Sequence, residues 1–285
     1  MTIKRVGIIG SGTMGSGIAE VAAKSGFEVV LRSRSQKGCD GMQAGLEKSL
    51  GRQLEKGRIT ESDRDATLTL VRTTTELDEL AECDLVIESV VEDLAVKKEL
   101  FGQLGQICSE SALLATNTST LPVVEMAMAA AHPEKVCGVH FFNPAPMMAL
   151  VEVVRPLTAD DETITAAVDF AKTCGKTPVE VADAAGFVVN AILFPYLNSA
   201  ARLLERGVAS AEDIDTAMKA GANMPMGPFA LLDLVGIDVS VAILEALYSE
   251  NPDPFLQPAM SLRRMLSAGR LGRKSGQGFY DYGKK

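Results

Sequence analysis

Histidine occurs only twice in this sequence of 285 residues, and one of the two, His140, stands where acid–base chemistry could be done. It follows the apolar run 136–139, so it falls at the end of an expected strand, where open α/β sheets present their ligand sites. An imidazole changes charge near neutral pH and is the usual group to take an alcohol proton while hydride departs. The other, His132, precedes Pro133 in an expected exposed loop. Glu152 lies farther on, inside Leu150-Val151-Glu152-Val153-Val154, and a carboxylate in so apolar a strand is costly unless a partner answers it.

A second chemical signal opens the chain. Residues 3–9 read as a buried strand, Gly10-Ser11-Gly12-Thr13-Met14-Gly15 follows, and Ile18, Ala19, Val21 and Ala22 continue at helical spacing. Three glycines at this spacing are weak evidence alone, but between a strand and a helix they take the form of a dinucleotide site. Gly10 then makes the turn, Gly12 lets a pyrophosphate approach, and Gly15 lets helix and strand close together. The helix start at Thr13 and Met14 offers unpaired N–H groups to the phosphates. The competing account is an ordinary tight turn.

The end of the second strand, 27–31, selects the nicotinamide cofactor, because NAD enzymes place an acid there for the ribose hydroxyls. Here the run is Leu31-Arg32-Ser33-Arg34-Ser35, without an acid. A carboxylate would repel a 2′-phosphate, whereas Arg34 can pair with it and Ser33 and Ser35 can donate hydroxyls. NADP(H) is the expected cofactor and NAD(H) the second choice. Against this stands the reading of Arg32 and Arg34 as solvated loop charges.

The elements that must position these groups follow from periodicity. In 38–70, Leu46, Leu50 and Leu54 recur among charges, Gly57 turns, and Thr60-Glu61-Ser62-Asp63 opens another helix, which predicts a helical hairpin inserted into the sheet. Apolar runs at 84–88, 112–115, 136–139 and 150–154 alternate with helical stretches such as 97–107, so the sheet continues. After 177–181 only helices are expected, over 188–206, 211–220, 229–248 and 258–268. The fold class is therefore α/β, an N-terminal Rossmann domain (1–185) carrying the hairpin, followed by an all-α domain (186–285), with the boundary near Ala184-Ala185-Gly186.

Composition excludes several classes of function. With 47% hydrophobic and 23% charged residues the chain reads as an ordinary folded protein, and its length suits two domains. A net charge of −9 argues against nucleic acid and anionic membranes as partners. No apolar run reaches membrane-spanning length, and the start lacks a signal-peptide core. Cys39, Cys83, Cys108, Cys137 and Cys174 are odd in number and widely spaced, so they read as reduced packing residues of a cytoplasmic protein, with no metal site expected.

The run His140-Phe141-Phe142-Asn143-Pro144 with Glu152 beyond it, Asn117-Thr118-Ser119 upstream, Gly186-Phe187-Val188-Val189-Asn190 downstream and the closing Gly272-Arg273-Lys274-Ser275-Gly276-Gln277-Gly278-Phe279-Tyr280 together resemble the short-chain 3-hydroxyacyl-CoA dehydrogenase family. The resemblance spans nearly the whole chain. It implies reversible oxidation of (S)-3-hydroxybutyryl-CoA to acetoacetyl-CoA, in a homodimer. It further implies His140 as general base, Glu152 as the carboxylate orienting it, and Ser119 and Asn190 as polar partners of the reacting 3-oxygen, alongside the nicotinamide in the case of Ser119. Glu92, Lys97 and Asn117 match positions around the cofactor, and Asn143 holds the site together. Ser49 and Lys56, on one hairpin face with Arg52, match positions that contact coenzyme A.

Plainer readings exist for each polar residue: Ser119 capping the helix that begins near Pro122, Lys97 in a solvated ion pair, Ser49 and Lys56 on an amphipathic surface. Met147, Met148, Leu231, Leu232 and Met260 could line an acyl pocket, though core is the default. The sequence departs from the family at Ala149, where a basic residue is common, and at Ala191, where an arginine is common, so substrate preference could have moved. A dehydrogenase of a hydroxy acid lacking CoA, and a non-enzymatic dinucleotide-binding protein, stay open.

Overall fold

A computed structural model describes residues 2–283. Its contacts divide the chain into two units, the first ending at Asp183 and the second beginning at Ala184.

In the first unit β1 (Arg5–Ile9) runs into α1 (Thr13–Lys24) and β2 (Glu28–Arg32). The expected hairpin follows as α2 (Gln36–Glu55) and α3 (Glu61–Thr69). Its second helix opens with a capping box: Thr60 Oγ1 accepts from the Asp63 N–H while the Asp63 carboxylate accepts from the Thr60 N–H. Next comes β3 (Val71–Thr74), a strand that the apolar pattern did not announce. The unit continues with β4 (Leu85–Glu88), α4 (Leu94–Ile107), β5 (Leu113–Thr116), α5 (Val123–Ala127), β6 (Val136–Phe141), β7 (Leu150–Arg155), α6 (Asp161–Thr173) and β8 (Thr177–Ala182).

The eight strands form one sheet in the order β3-β2-β1-β4-β5-β6-β7-β8. Every neighbouring pair is parallel except β6 and β7. Between β1 and β4 the direction of winding reverses, and at such a switch point the crevice beyond the strand C-termini receives a ligand. Strands covered on both faces read as continuous apolar runs, which is why 85–88 and 113–116 are fully buried. β8 lies at the edge, is largely exposed and carries Pro178, a residue tolerated where no further strand needs its N–H.

The second unit is helical: α7 (Val189–Glu205), α8 (Ala211–Gly221), α9 (Pro228–Val235), α10 (Ile237–Glu250) and α11 (Met260–Ser267). The single helix expected over 229–248 is two helices. Gly236 adopts φ 108°, outside helical space, and the chain turns there. Phe194, Leu197, Phe229, Leu232, Leu244 and Leu262 form its core.

The closing glycine-rich motif is structural in this unit. Buried Asp233 accepts from the N–H groups of Phe279 at 2.9 Å and Tyr280 at 3.0 Å. Buried Asp215 accepts from Phe229 N–H, Ala230 N–H and the Tyr280 hydroxyl. A Cβ at Gly278 would stand 2.0 Å from Asp233 Oδ1, so only glycine lets this segment reach the carboxylate. Replacing Asp233 by Ala leaves two half-buried N–H groups unanswered and should destabilise the protein by about 1–3 kcal/mol. Urea unfolding checks this: the midpoint should fall, and a midpoint within error of the parent refutes the docking role.

Candidate active site

Because β1, β4, β5 and β6 are parallel neighbours, their C-terminal ends share one edge of the sheet. Along that edge follow the glycine turn after β1, the segment 88–92 at and beyond the end of β4, Asn117 to Ser119 after β5, and His140 near the end of β6. Neighbouring strands lie about 4.8 Å apart, so β5 is about 10 Å from β1, the reach of a ribosyl-nicotinamide beyond its phosphate.

His140 and Glu152 are directly opposite in the antiparallel β6–β7 register, and the imidazole Nδ1 lies 2.8 Å from Glu152 Oε2. Both are buried, at 4% and 1% exposure, and the Phe142 ring stands 4.5 Å from the imidazole. A carboxylate accepts, so it assigns the proton of a neutral imidazole to Nδ1. In that tautomer Nε2 is the ring nitrogen that carries no proton. His132, expected to be exposed, is half-buried and stands 3.2 Å from Glu134.

The glycine turn has the form its spacing predicts. Gly10 has φ 133°, and a Cβ there would meet the Ser89 carbonyl at 2.2 Å; a Cβ at Gly15 would meet the Gly10 carbonyl at 2.1 Å. A Cβ at Gly12 would meet nothing within 4 Å, and no side chain caps α1 there, so the N–H groups of Thr13 and Met14 can face an approaching anion. A cleft of about 650 Å³ opens over this turn, lined by Gly10 and Gly12, by Arg32, Ser33 and Arg34, and by Val91 and Glu99 across from them. Ser33 is buried, Arg34 is exposed, and Arg32 turns aside to donate from Nε to the Thr75 carbonyl at 3.2 Å. Ser35 caps α2, its hydroxyl accepting from the Gly38 N–H.

At the ends of β4 and β5 the polar side chains interlock. Lys97, far from a solvated pair, is 1% exposed, and its ammonium lies 2.8 Å from Glu88 and 3.2 Å from Glu92. Glu92 Oε1 accepts from the Thr118 hydroxyl at 2.5 Å and from the Ser119 N–H at 3.0 Å. Asn117 Oδ1 accepts from the Phe141 N–H, tying the β5 end to the strand that carries His140. Ser119 is not the cap of α5: the Asp183 carboxylate accepts from the Val123 and Val124 N–H groups there. Glu88 and Asp183 were not singled out from the sequence. An acid closing an apolar strand was the available signal for Glu88, as an acid inside one was for Glu152.

The remaining expected residues are dispersed. The Ser49 hydroxyl donates to buried Glu20 at 2.6 Å, an internal contact linking α2 to α1. Lys56 and Arg52 are exposed at the end of α2. Asn143 is exposed in the loop after β6, and Asn190 is buried near the start of α7 in the second unit. Leu232 is core as expected, but Met147, Met148 and Met260 are exposed, because the two loop methionines lie beyond the sheet and Met260 begins a surface helix. Met147 Sδ lies 4.0 Å from Arg58 Nη1 at the hairpin turn. Burial pushes the thiols of Cys83, Cys137 and Cys174 up to about 12 and that of Cys108 to about 11, away from reactive thiolates.

Comparison with known proteins gives one consistent answer. The model of the 3-hydroxyacyl-CoA dehydrogenase NAD binding domain matches residues 5–184, and that of the 3-hydroxyacyl-CoA dehydrogenase C-terminal domain matches 186–282. The chain is 46% identical over 282 residues to a 3-hydroxybutyryl-CoA dehydrogenase of Mycobacterium tuberculosis, covering 98% of this chain and 99% of that one. It is 45% identical to a 3-hydroxybutyryl-CoA dehydrogenase of Clostridioides difficile, covering 98% and 100%. A solved (S)-3-hydroxybutyryl-CoA dehydrogenase from Ralstonia eutropha superposes with a TM-score of 0.96 at 41% identity, covering 99% and 100%. The sheet order, the glycine turn, the paired His140 and Glu152 and these full-length likenesses agree: the chain belongs to the 3-hydroxyacyl-CoA dehydrogenase family.

Proposed function

We propose that this protein interconverts (S)-3-hydroxybutyryl-CoA and acetoacetyl-CoA with NADP(H) as preferred cofactor, as a cytoplasmic homodimer. The carrying observation is the buried pairing of His140 with Glu152 on the sheet edge that also bears the glycine turn. In oxidation, Nε2 of His140 takes the hydroxyl proton and Glu152 stabilises the imidazolium, while a nicotinamide held beyond the glycine turn would accept the hydride from C3; reduction reverses each transfer. Ser119 and Asn190 hydrogen-bond the reacting oxygen. Glu92, Lys97, Asn117 and Asn143 shape the nicotinamide side. Lys56, with Ser49 and the exposed Arg52, receives the CoA moiety, and the relatives' being 3-hydroxybutyryl-CoA dehydrogenases supports that choice.

The cofactor preference rests on the end of β2. Ser33 lines the cleft where an NAD enzyme has an acid, and Arg34 stands exposed beside it. The guanidinium can take the 2′-phosphate in a charge-assisted bidentate contact. The homodimer contact is assigned to the second unit, where Ile192, Val208 and Phe255 are exposed.

Initial rates of acetoacetyl-CoA reduction with NADPH and with NADH test the assignment; faster turnover of free acetoacetate would replace the CoA substrate by a simple keto acid. Replacing His140 by Ala should lower kcat by roughly 10²- to 10⁴-fold while leaving the cofactor Kd, read by fluorescence titration, nearly unchanged. A variant retaining full turnover removes the general base from the scheme. Combining Ser33→Asp with Arg34→Ile should shift kcat/KM from NADPH toward NADH by about 10-fold or more. A parent enzyme that already prefers NADH contradicts the reading of this loop.

A further inference from the structure

Glu88 ends β4 with no exposure at all, and its carboxylate is answered from three directions. The Val90 N–H donates to Oε1 at 2.5 Å, the Thr116 hydroxyl on β5 donates to Oε2 at 2.9 Å, and the Lys97 ammonium on α4 bonds both oxygens at 2.8 and 2.9 Å. Lys97 is itself buried and reaches one further acceptor, Glu92 Oε2 at 3.2 Å. Glu92, with 42% of its side chain exposed, is the carboxylate of the pair that reaches solvent, and its other oxygen accepts from the Thr118 hydroxyl at 2.5 Å and from the Ser119 N–H at 3.0 Å. Two carboxylates therefore share one ammonium, and the order of contacts leads from a sealed anchor to the loop that carries Ser119.

We infer that Glu88 is a positioning residue for Ser119, acting through Lys97 and Glu92; this rests on the reading above that Ser119 hydrogen-bonds the reacting oxygen. Stability alone is a poor account of the pair. Burying two charges is expensive, and well-packed apolar residues commonly replace a buried ion pair at no loss of stability. What an apolar pair cannot do is aim a third group. An exposed glutamate gains little from a surface contact and would otherwise spread over several rotamers in water. Here Lys97 cannot follow it outward, because Glu88 holds the ammonium with both oxygens and is itself held by β4 and β5. Glu92 is thus kept turned inward, by Lys97 on one oxygen and by the buried Thr118 hydroxyl on the other, and with it the backbone N–H and the position of Ser119. Displacing a reacting group's partner by about 1 Å can cost about 100-fold in rate.

A double-mutant cycle reads this directly, with acetoacetyl-CoA and NADPH as the assay. Glu88→Gln should lower kcat by about 10- to 100-fold with the acetoacetyl-CoA KM changed far less. The same substitution in a Ser119→Ala background should cost almost nothing further, because the group it aims is gone. An equal loss in both backgrounds, or no loss in the parent, overturns the proposal. Glu88→Leu combined with Lys97→Met removes both buried charges and keeps the fold testable if the single variant does not fold. Recovery of the parent Tm without recovery of kcat supports positioning, whereas recovery of both marks the pair as structural and overturns it. Full activity in Ser119→Ala alone would instead remove the premise, and the proposal with it, and that single variant distinguishes the two failures.

Discussion

The site depends on one constraint: a carboxylate placed in the middle of a buried strand must find a partner, and Glu152 finds it directly across the sheet. Antiparallel pairing makes this possible, because residues opposite each other in an antiparallel pair project to the same face at close range. β6 and β7 are the one antiparallel pair of the sheet. The loop joining them, 142–149, is short enough to bring Glu152 back beside His140, whereas a parallel connection would need a crossover helix and a different neighbour. Lys176 secures this loop by donating from Nζ to the carbonyls of Ala145 and Met148. The reversal of strand direction is therefore what places the acid behind the imidazole, and the remaining strands supply what must face it.

Those strands arrange the ligand by order alone. The winding reverses between β1 and β4, which leaves a crevice above the glycine turn. From there the cleft extends toward β2, where Ser33 and Arg34 line it, and β4, β5 and β6 follow on the other side. His140 comes last in this series, so the imidazole and the glycine turn are set apart by strand spacing, without any loop having to measure the distance.

Much of this was legible because it rests on local or periodic signals. The glycine turn needs positive φ and close backbone contacts at Gly10 and Gly15, and only glycine meets both, so spacing plus context was sufficient. The hairpin showed in leucine periodicity, and its capping box was written in Thr60 and Asp63. Other features were hidden for physical reasons. β3, Val71-Arg72-Thr73-Thr74, is an edge strand with two threonines and an arginine, and its pairing to β2 supplies what its own pattern lacks. The break at Gly236 interrupts a sequence apolar on both sides, so periodicity ran through it. Asp183 caps α5 from 60 positions away, and no local pattern reports such a contact. Lys97, matched by resemblance to the cofactor side, still allowed the reading of a solvated ion pair because its buried counter-charge, Glu88, sits at the end of a different element.

The buried acids of the first unit share a logic that accounts for several of these surprises. Glu20 accepts from Ser49 and Gln53 and joins α1 to α2; Glu88 joins β4 to α4 and β5; Glu152 joins β7 to β6. An apolar contact tolerates sliding, since its energy follows area and changes little with small shifts. A buried carboxylate does not, because each lost donor leaves a desolvated charge unanswered. Each of the three therefore fixes a register between elements: the helical hairpin against α1, the end of β4 against α4 and β5, and the strand that carries His140 against β7. In a chain with a net charge of −9, acids placed on the surface would only add to repulsion of anionic ligands. Buried and paired, the same residues become the joints that hold the site to its geometry.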